Sequence, residues 1–135
     1  MRKFSVYFLF SLVLMTQACA QKQGSTATIK TLEAAADFSA KIEADSSPII
    51  IDVRTEGEFK SGHLKGAANI DFYSDKFVSN CMQYDTLQPV YVYCKSGGRS
   101  ATATKQLETA GFKEIYELKG GIMSWNAAKL PLAKE

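Results

Sequence analysis

From residue 28 onward, short β-branched and aromatic runs alternate with segments whose apolar positions recur every three or four residues, and this predicts an α/β domain with a mainly parallel sheet. Thr28-Ile-Lys30 reads as a weak strand. Thr31 reads as the cap of a helix with Glu33 in its first turn and Leu32, Ala35, Ala36, Phe38 and Ile42 at its apolar positions. Asp45-Ser-Ser-Pro48 stops that helix, and Ile49 to Val53 has the β-branched character of a strand buried on both faces. Thr55 and Glu58 form a capping-box pair for a short helix ending near Gly62. Ala67 to Ile70 reads as a short strand, residues 74–83 as a helix, and Val90 to Tyr93, after Pro89, as a second central strand. The spacing then predicts a helix from Gly98 to Ala110 closed by Gly111, a strand from Glu114 to Leu118, and a last helix from Gly121 to Lys129 ended by Pro131. No internal repeat or low-complexity stretch is present.

The first twenty residues stand apart from this alternation. Arg2-Lys3 followed by the apolar run Phe4 to Met15 reads as a secretory signal, too short to span a bilayer comfortably as an uncleaved anchor. Ala18-Cys19-Ala20 fits a small-x-small cleavage site, while Cys19 is also placed to be the lipid-modified first residue of a bacterial lipoprotein. Thr16 and Gln17 match a lipobox only loosely. Both readings export the chain, as a periplasmic protein or as a lipoprotein attached to the membrane through Cys19. Residues 21–27 then form a tether, and the domain occupies 28–135.

Loss of residues 1–20 removes two of the 16 Lys and Arg and none of the 14 Asp and Glu, so the formal charge falls from +2 to zero. A neutral mature chain implies no nucleic-acid partner. Roughly 115 residues make one domain with a real core and are too few for two. The three cysteines make no disulfide scaffold, and no Cys/His pair has metal-ligand spacing. Cys81 reads as a helix or loop residue without chemistry, although in an oxidising compartment it could pair with Cys94 and silence it.

The chemistry concentrates in Tyr91-Val-Tyr-Cys94-Lys95-Ser96-Gly97-Gly98-Arg99-Ser100, where a cysteine leaves an apolar strand and enters a glycine-containing loop ahead of a helix. Open α/β sheets place ligands at the carboxyl ends of their strands. Loop amides exposed by Gly97 and Gly98, the positive end of the helix, and the cations Lys95 and Arg99 each favour thiolate over thiol. Free cysteines are often buried strand residues, but packing gives no reason for a Gly-Gly pair and two cations in the next five positions.

Four separated motifs resemble the single-domain rhodanese-like sulfurtransferases. They are Asp52-Val53-Arg54; Glu58-Phe59-x-x-Gly62-His63-Leu64-x-Gly66-Ala67-x-Asn69-Ile70; Cys94-Lys-Ser-Gly-Gly-Arg-Ser100; and Leu118-x-Gly120-Gly121-Ile122-x-x-Trp125. Together they span about residues 28–130. Lys65 stands where the family commonly has proline. The resemblance implies an open, mainly parallel sheet of about five strands with helices on both faces. It implies that Cys94 accepts a sulfane sulfur as a persulfide and passes it on. The donor would be a small anion such as thiosulfate, or a persulfide, and the acceptor a thiol or a protein. No cofactor or metal is implied. Lys95 and Arg99 suit the leaving anion, and the amides of Ser96 to Ser100 suit the persulfide. Ser100 is equally suited to capping the next helix. The alternative function is a rhodanese-like sulfur-carrier or protein-binding module that turns over poorly alone. An intact Cys94 favours the enzyme.

Loop length separates this pattern from related phosphatases, whose Cys-x5-Arg loop wraps a phosphate, because Arg99 follows Cys94 after four residues. The remaining motif residues read mainly as structural. His63, the only histidine, belongs to a motif that is mostly architectural in the family; Asp52 and Arg54 suggest a buried ion pair; Trp125 and Phe59 suggest core. Phe72, Tyr73 and Phe77 could line the cleft, though aromatics near a helix start more often pack.

Overall fold

The computed structural model describes residues 26–134, so the signal, Cys19 and most of the tether lie outside the described residues. Five strands, β1 (Thr28–Leu32), β2 (Ile49–Asp52), β3 (Ala67–Asn69), β4 (Val90–Tyr93) and β5 (Glu114–Leu118), form one sheet in the order β1-β5-β4-β2-β3. Every neighbouring pair is parallel. Parallel pairing needs crossovers, which are supplied by α1 (Ala35–Ala44), α2 (Glu56–Lys60), α3 (Phe77–Cys81) and α4 (Gly98–Ala110); α5 (Gly121–Ala127) follows the last strand.

Strand periodicity divides the core into two layers. Tyr91 and Tyr93 of β4 face a cluster with Ala35 and Phe38 of α1 and Ile122 and Trp125 of α5. Val90 and Val92 face the opposite way, onto Phe77 and Cys81 of α3 and Ala103 and Leu107 of α4. Covering helices on both faces explain why β4 is apolar at successive positions, and all four of its residues are buried.

Most elements form where the hydrophobic pattern places them, and β4, α4 and β5 have the predicted bounds. The main departure is at β1, which continues to Leu32, with Thr31 opposite Glu117 and Leu32 opposite Leu118. Thr31 is therefore a strand residue whose hydroxyl donates to Glu117 Oε2 at 3.1 Å, and it caps no helix. The helix begins at Ala35 behind Ala34, which gives no side-chain cap, and Ala36 is exposed rather than on the apolar side. Pairing with a strand far along the chain outweighs a local cap worth about 1 kcal/mol. Helix α3 is a five-residue segment shorter than the predicted 74–83, and α5 ends at Ala127.

Candidate active site

Strand β4 lies in the middle of the sheet and delivers Cys94 at its carboxyl end, where the residue is 1% exposed. The chain then turns through Gly97, whose φ of +101° is a left-handed conformation open to glycine at little cost, and enters α4 at Gly98. That turn swings the Gly97 N–H back onto Cys94 Sγ at 3.1 Å. Ser100, in the first turn of α4, places its hydroxyl oxygen 3.5 Å from the same sulfur. Burial pushes the Cys94 thiol pKa up, but hydrogen bonds from the Ser100 hydroxyl and from the amides of Ser100, Gly97 and Ser96 outweigh it, and the pKa lies below that of an ordinary cysteine. The sulfur thus sits among hydrogen-bond donors that favour its thiolate form.

The outer wall of the loop is fixed by the start of α5. Ile122 N–H donates to Cys94 O at 2.8 Å and Met123 N–H to Lys95 O at 3.1 Å. With these two carbonyls turned outward, the amides that follow point inward. Such close docking requires glycine: a Cβ at Gly121 would sit 2.3 Å from Cys94 O, and φ there is +57°. A Cβ at Gly97 would lie 3.2 Å from Gly120 N, so the two Gly turns pack backbone against backbone.

Of the two loop cations, Lys95 is exposed. Arg99 makes a two-pronged pair with Glu58, Nη1 to Oε2 and Nη2 to Oε1, both 2.8 Å. The Arg99 guanidinium holds the Glu58 carboxyl down at about 2, while Glu58 raises the Arg99 pKa. Tyr73, 68% exposed, lies under the guanidinium at 5.7 Å from its ring centroid. Hydrogen bonds lead in lowering the Cys94 pKa, and the guanidinium of Arg99 is shared with Glu58.

The sequence model of the Rhodanese-like domain matches residues 34–128. The chain belongs to the rhodanese-like domain family. It is 43% identical over 76 residues to the uncharacterized protein YqhL of Bacillus subtilis (strain 168), an alignment covering 56% of this chain and 59% of that protein. The chain thus spans less than two thirds of that relative. It is 33% identical over 79 residues to the thiosulfate sulfurtransferase GlpE of Shewanella oneidensis, covering 58% of this chain and 76% of GlpE. Among solved structures, the rhodanese-related protein of Thermoplasma volcanium superposes with a TM-score of 0.68 at 27% identity, over 78% of this chain and 99% of that one.

Within this rhodanese-like domain the other motif residues brace the site. Asp52 and Arg54 form a buried ion pair, Nη2 to Oδ2 at 2.6 Å, and Arg54 also donates to Gly62 O at 2.7 Å. Asn69 Nδ2 donates to the carbonyls of Asp52 and Arg54, at 3.1 and 2.7 Å, tying the end of β2 to that of β3. His63 stacks on Phe59 with ring centroids 3.8 Å apart, places Nδ1 3.1 Å from Phe59 O, and pairs through its backbone with Ala133. Trp125 is buried and donates to Pro131 O at 3.0 Å. Phe77 is core, whereas Phe72 is half-buried and edge-on to Tyr73. Cys81 and Cys94 are both unbridged thiols; burial pushes Cys81 up to about 12 and leaves it inert at neutral pH.

Four site residues have roles that escape the sequence reading. Glu58 is legible as a capping-box residue, and its box with Thr55 forms, but its second role on Arg99 is set by the fold. Glu117 is 5% exposed and accepts the Ser100 hydroxyl at 2.8 Å. Its signal is an acidic residue inside the apolar strand Ile115-Tyr-Glu-Leu118. Gly120 and Gly121 are legible as a motif, and Gly121 as a helix start, but not as the anchor of the loop.

Proposed function

We propose that this rhodanese-like domain is a sulfurtransferase whose nucleophile is Cys94. The Cys94 thiolate attacks the sulfane sulfur of a donor of the thiosulfate class. The S–S bond of the donor breaks, sulfite leaves with the bonding electron pair, and Cys94 becomes an anionic persulfide. A thiolate acceptor then attacks the outer sulfur, and Cys94 leaves as thiolate. Lys95, Ser96, Gly97, Gly98, Arg99 and Ser100 would receive the anions. The observation that carries this reading is the sulfur itself, held 3.1 Å from the Gly97 N–H with its pKa lowered by hydrogen bonds. Likeness to the thiosulfate sulfurtransferase GlpE supports the donor class.

Treatment of the protein with thiosulfate, followed by mass spectrometry of the Cys94 peptide, should show the gain of one sulfur atom, removable by a thiol or cyanide. Cys94→Ser should abolish it. A folded wild-type protein that gains no sulfur would refute the proposal. Export is part of the same proposal: the basic and apolar pattern of residues 1–20 supports delivery to the periplasm or, through lipidated Cys19, to a membrane surface. Mass spectrometry of the mature amino terminus should find cleavage next to Cys19 or Ala20, and an intact Met1 on the cytoplasmic protein would overturn it.

A further inference from the structure

Glu117 is a buried carboxylate that the sulfur-transfer scheme above leaves without a task. It sits on β5 at 5% exposure, and among the described residues both side chains that donate to it are hydroxyls, Thr31 at 3.1 Å and Ser100 at 2.8 Å. Among the described residues no ion pair includes it. Two hydroxyls satisfy its oxygens but bring no charge to offset the burial of its own.

Ser100 links it to the reacting atom. Its Oγ lies 3.5 Å from Cys94 Sγ, 2.8 Å from Glu117 Oε1 and 3.0 Å from Gly97 O. A hydroxyl has one hydrogen. While Cys94 is a thiol, S–H donates to Ser100 Oγ, and the Ser100 hydrogen goes to the carboxylate, its charged acceptor. Once Cys94 is a thiolate, the Ser100 hydrogen turns to the sulfur. Two oxygens would then face each other at 2.8 Å with no hydrogen between them, unless Glu117 brings one. Arg99 is committed to Glu58 and Lys95 is exposed, so neither is placed against Glu117 to neutralise a second buried anion.

We propose that Glu117 is a positioning residue that stores the Cys94 proton, reached through Ser100. As the S–H proton passes to Ser100 Oγ, the Ser100 O–H proton passes to Glu117 Oε1. Thiol with carboxylate becomes thiolate with carboxylic acid, and the buried trio keeps one negative charge throughout. The proton stays on Glu117 while the sulfur carries the persulfide anion. It returns by the same two transfers when Cys94 departs as the leaving group in the acceptor step. This proposal rests on the persulfide chemistry above and adds the path of its proton.

The test is infrared difference spectroscopy of the whole protein before and after loading with thiosulfate, with glutamate side-chain carboxyls carbon-13 labelled. Persulfide formation should produce the carbonyl stretch of a protonated, buried glutamic acid, shifted by the label. The band should be absent in Glu117→Gln and in Ser100→Ala, either of which serves if the other fails to fold. In a single-turnover assay, Glu117→Gln should discharge its persulfide to a small thiol at least about tenfold more slowly than wild type. That is below the roughly 10²–10⁴ usual for general acid catalysis, because an amide-stabilised thiolate already leaves readily. Persulfide formation in wild type without the labelled band would overturn the proton store and leave sulfur transfer standing. No persulfide at all would overturn both.

Discussion

The contact between Gly121 and the Cys94 loop makes a quantitative prediction for Gly121→Ala. An added Cβ would lie 2.3 Å from Cys94 O and 2.7 Å from both C and O of Lys95, where 3.4 Å is ordinary contact, so one backbone must retreat by about 1 Å. Retreat breaks or lengthens two hydrogen bonds, Ile122 N–H to Cys94 O and Met123 N–H to Lys95 O, each worth about 1 kcal/mol. Alanine at φ +57° adds about 1–2 kcal/mol. The sum is about 3–4 kcal/mol, which for a domain of this size lowers the melting temperature by roughly 10–15 °C. The same retreat pulls the amide nest away from the sulfur. Alkylation of Cys94 by iodoacetamide at neutral pH should slow, and sulfur transfer should fall by about 10²-fold, the effect of a 1 Å misplacement. Gly57→Ala is the control: Gly57 lies in α2 with no atom within 4 Å of an added Cβ, and this variant should melt at or slightly above wild type. Thermal unfolding followed by circular dichroism measures the first effect and peptide mass spectrometry the second. A Gly121→Ala protein melting within about 3 °C of wild type, with an unchanged alkylation rate, would refute the account of α5 as the anchor of the loop.

Two further predictions concern charge. Because Arg99 holds the Glu58 carboxyl down to about 2 against an ordinary 4.5, their pairing adds stability that is fully present above pH 4.5 and is lost as pH falls toward 2. Melting temperatures taken across that window should fall more shallowly for Arg99→Gln than for wild type, and parallel curves would remove the pair from the stability of the fold. Because hydrogen bonds lead in lowering the Cys94 pKa, Ser100→Ala should slow its alkylation at neutral pH by roughly tenfold, the loss of one hydrogen bond to a charged group. Lys95→Gln, which removes an exposed and screened charge, should slow it less than about threefold. The opposite ranking would return the activation to the cations.

How far the sequence anticipates this molecule depends on the reach of each interaction. Strands β2 and β4 are legible because burial on both faces writes itself into consecutive apolar residues. The capping box of α2 is legible because Thr55 and Glu58 are three residues apart. Cys94 is legible because strand, loop and helix follow one another in the chain. Thr31 misleads because its partner, Glu117, is 86 residues away, and nothing local distinguishes a strand threonine from a helix cap. Arg99 similarly reads as a cation beside the sulfur until the fold brings Glu58 to it across 41 residues. The glycines of the last motif announce a turn, but not that the turn must press against Cys94 O.

The hydrogen bonds from α5 to only the first two loop residues divide that loop for purposes of redesign. Its upstream half, Cys94 and Lys95, is bolted by main-chain contacts to another helix, while Ser96 and Gly98 have open sides. An extra residue intended to enlarge the cradle toward phosphate-sized oxyanions therefore has to be spliced after Lys95. The same insertion placed before Lys95 would slide the chain along the amides of Ile122 and Met123 and shift the nucleophile with it.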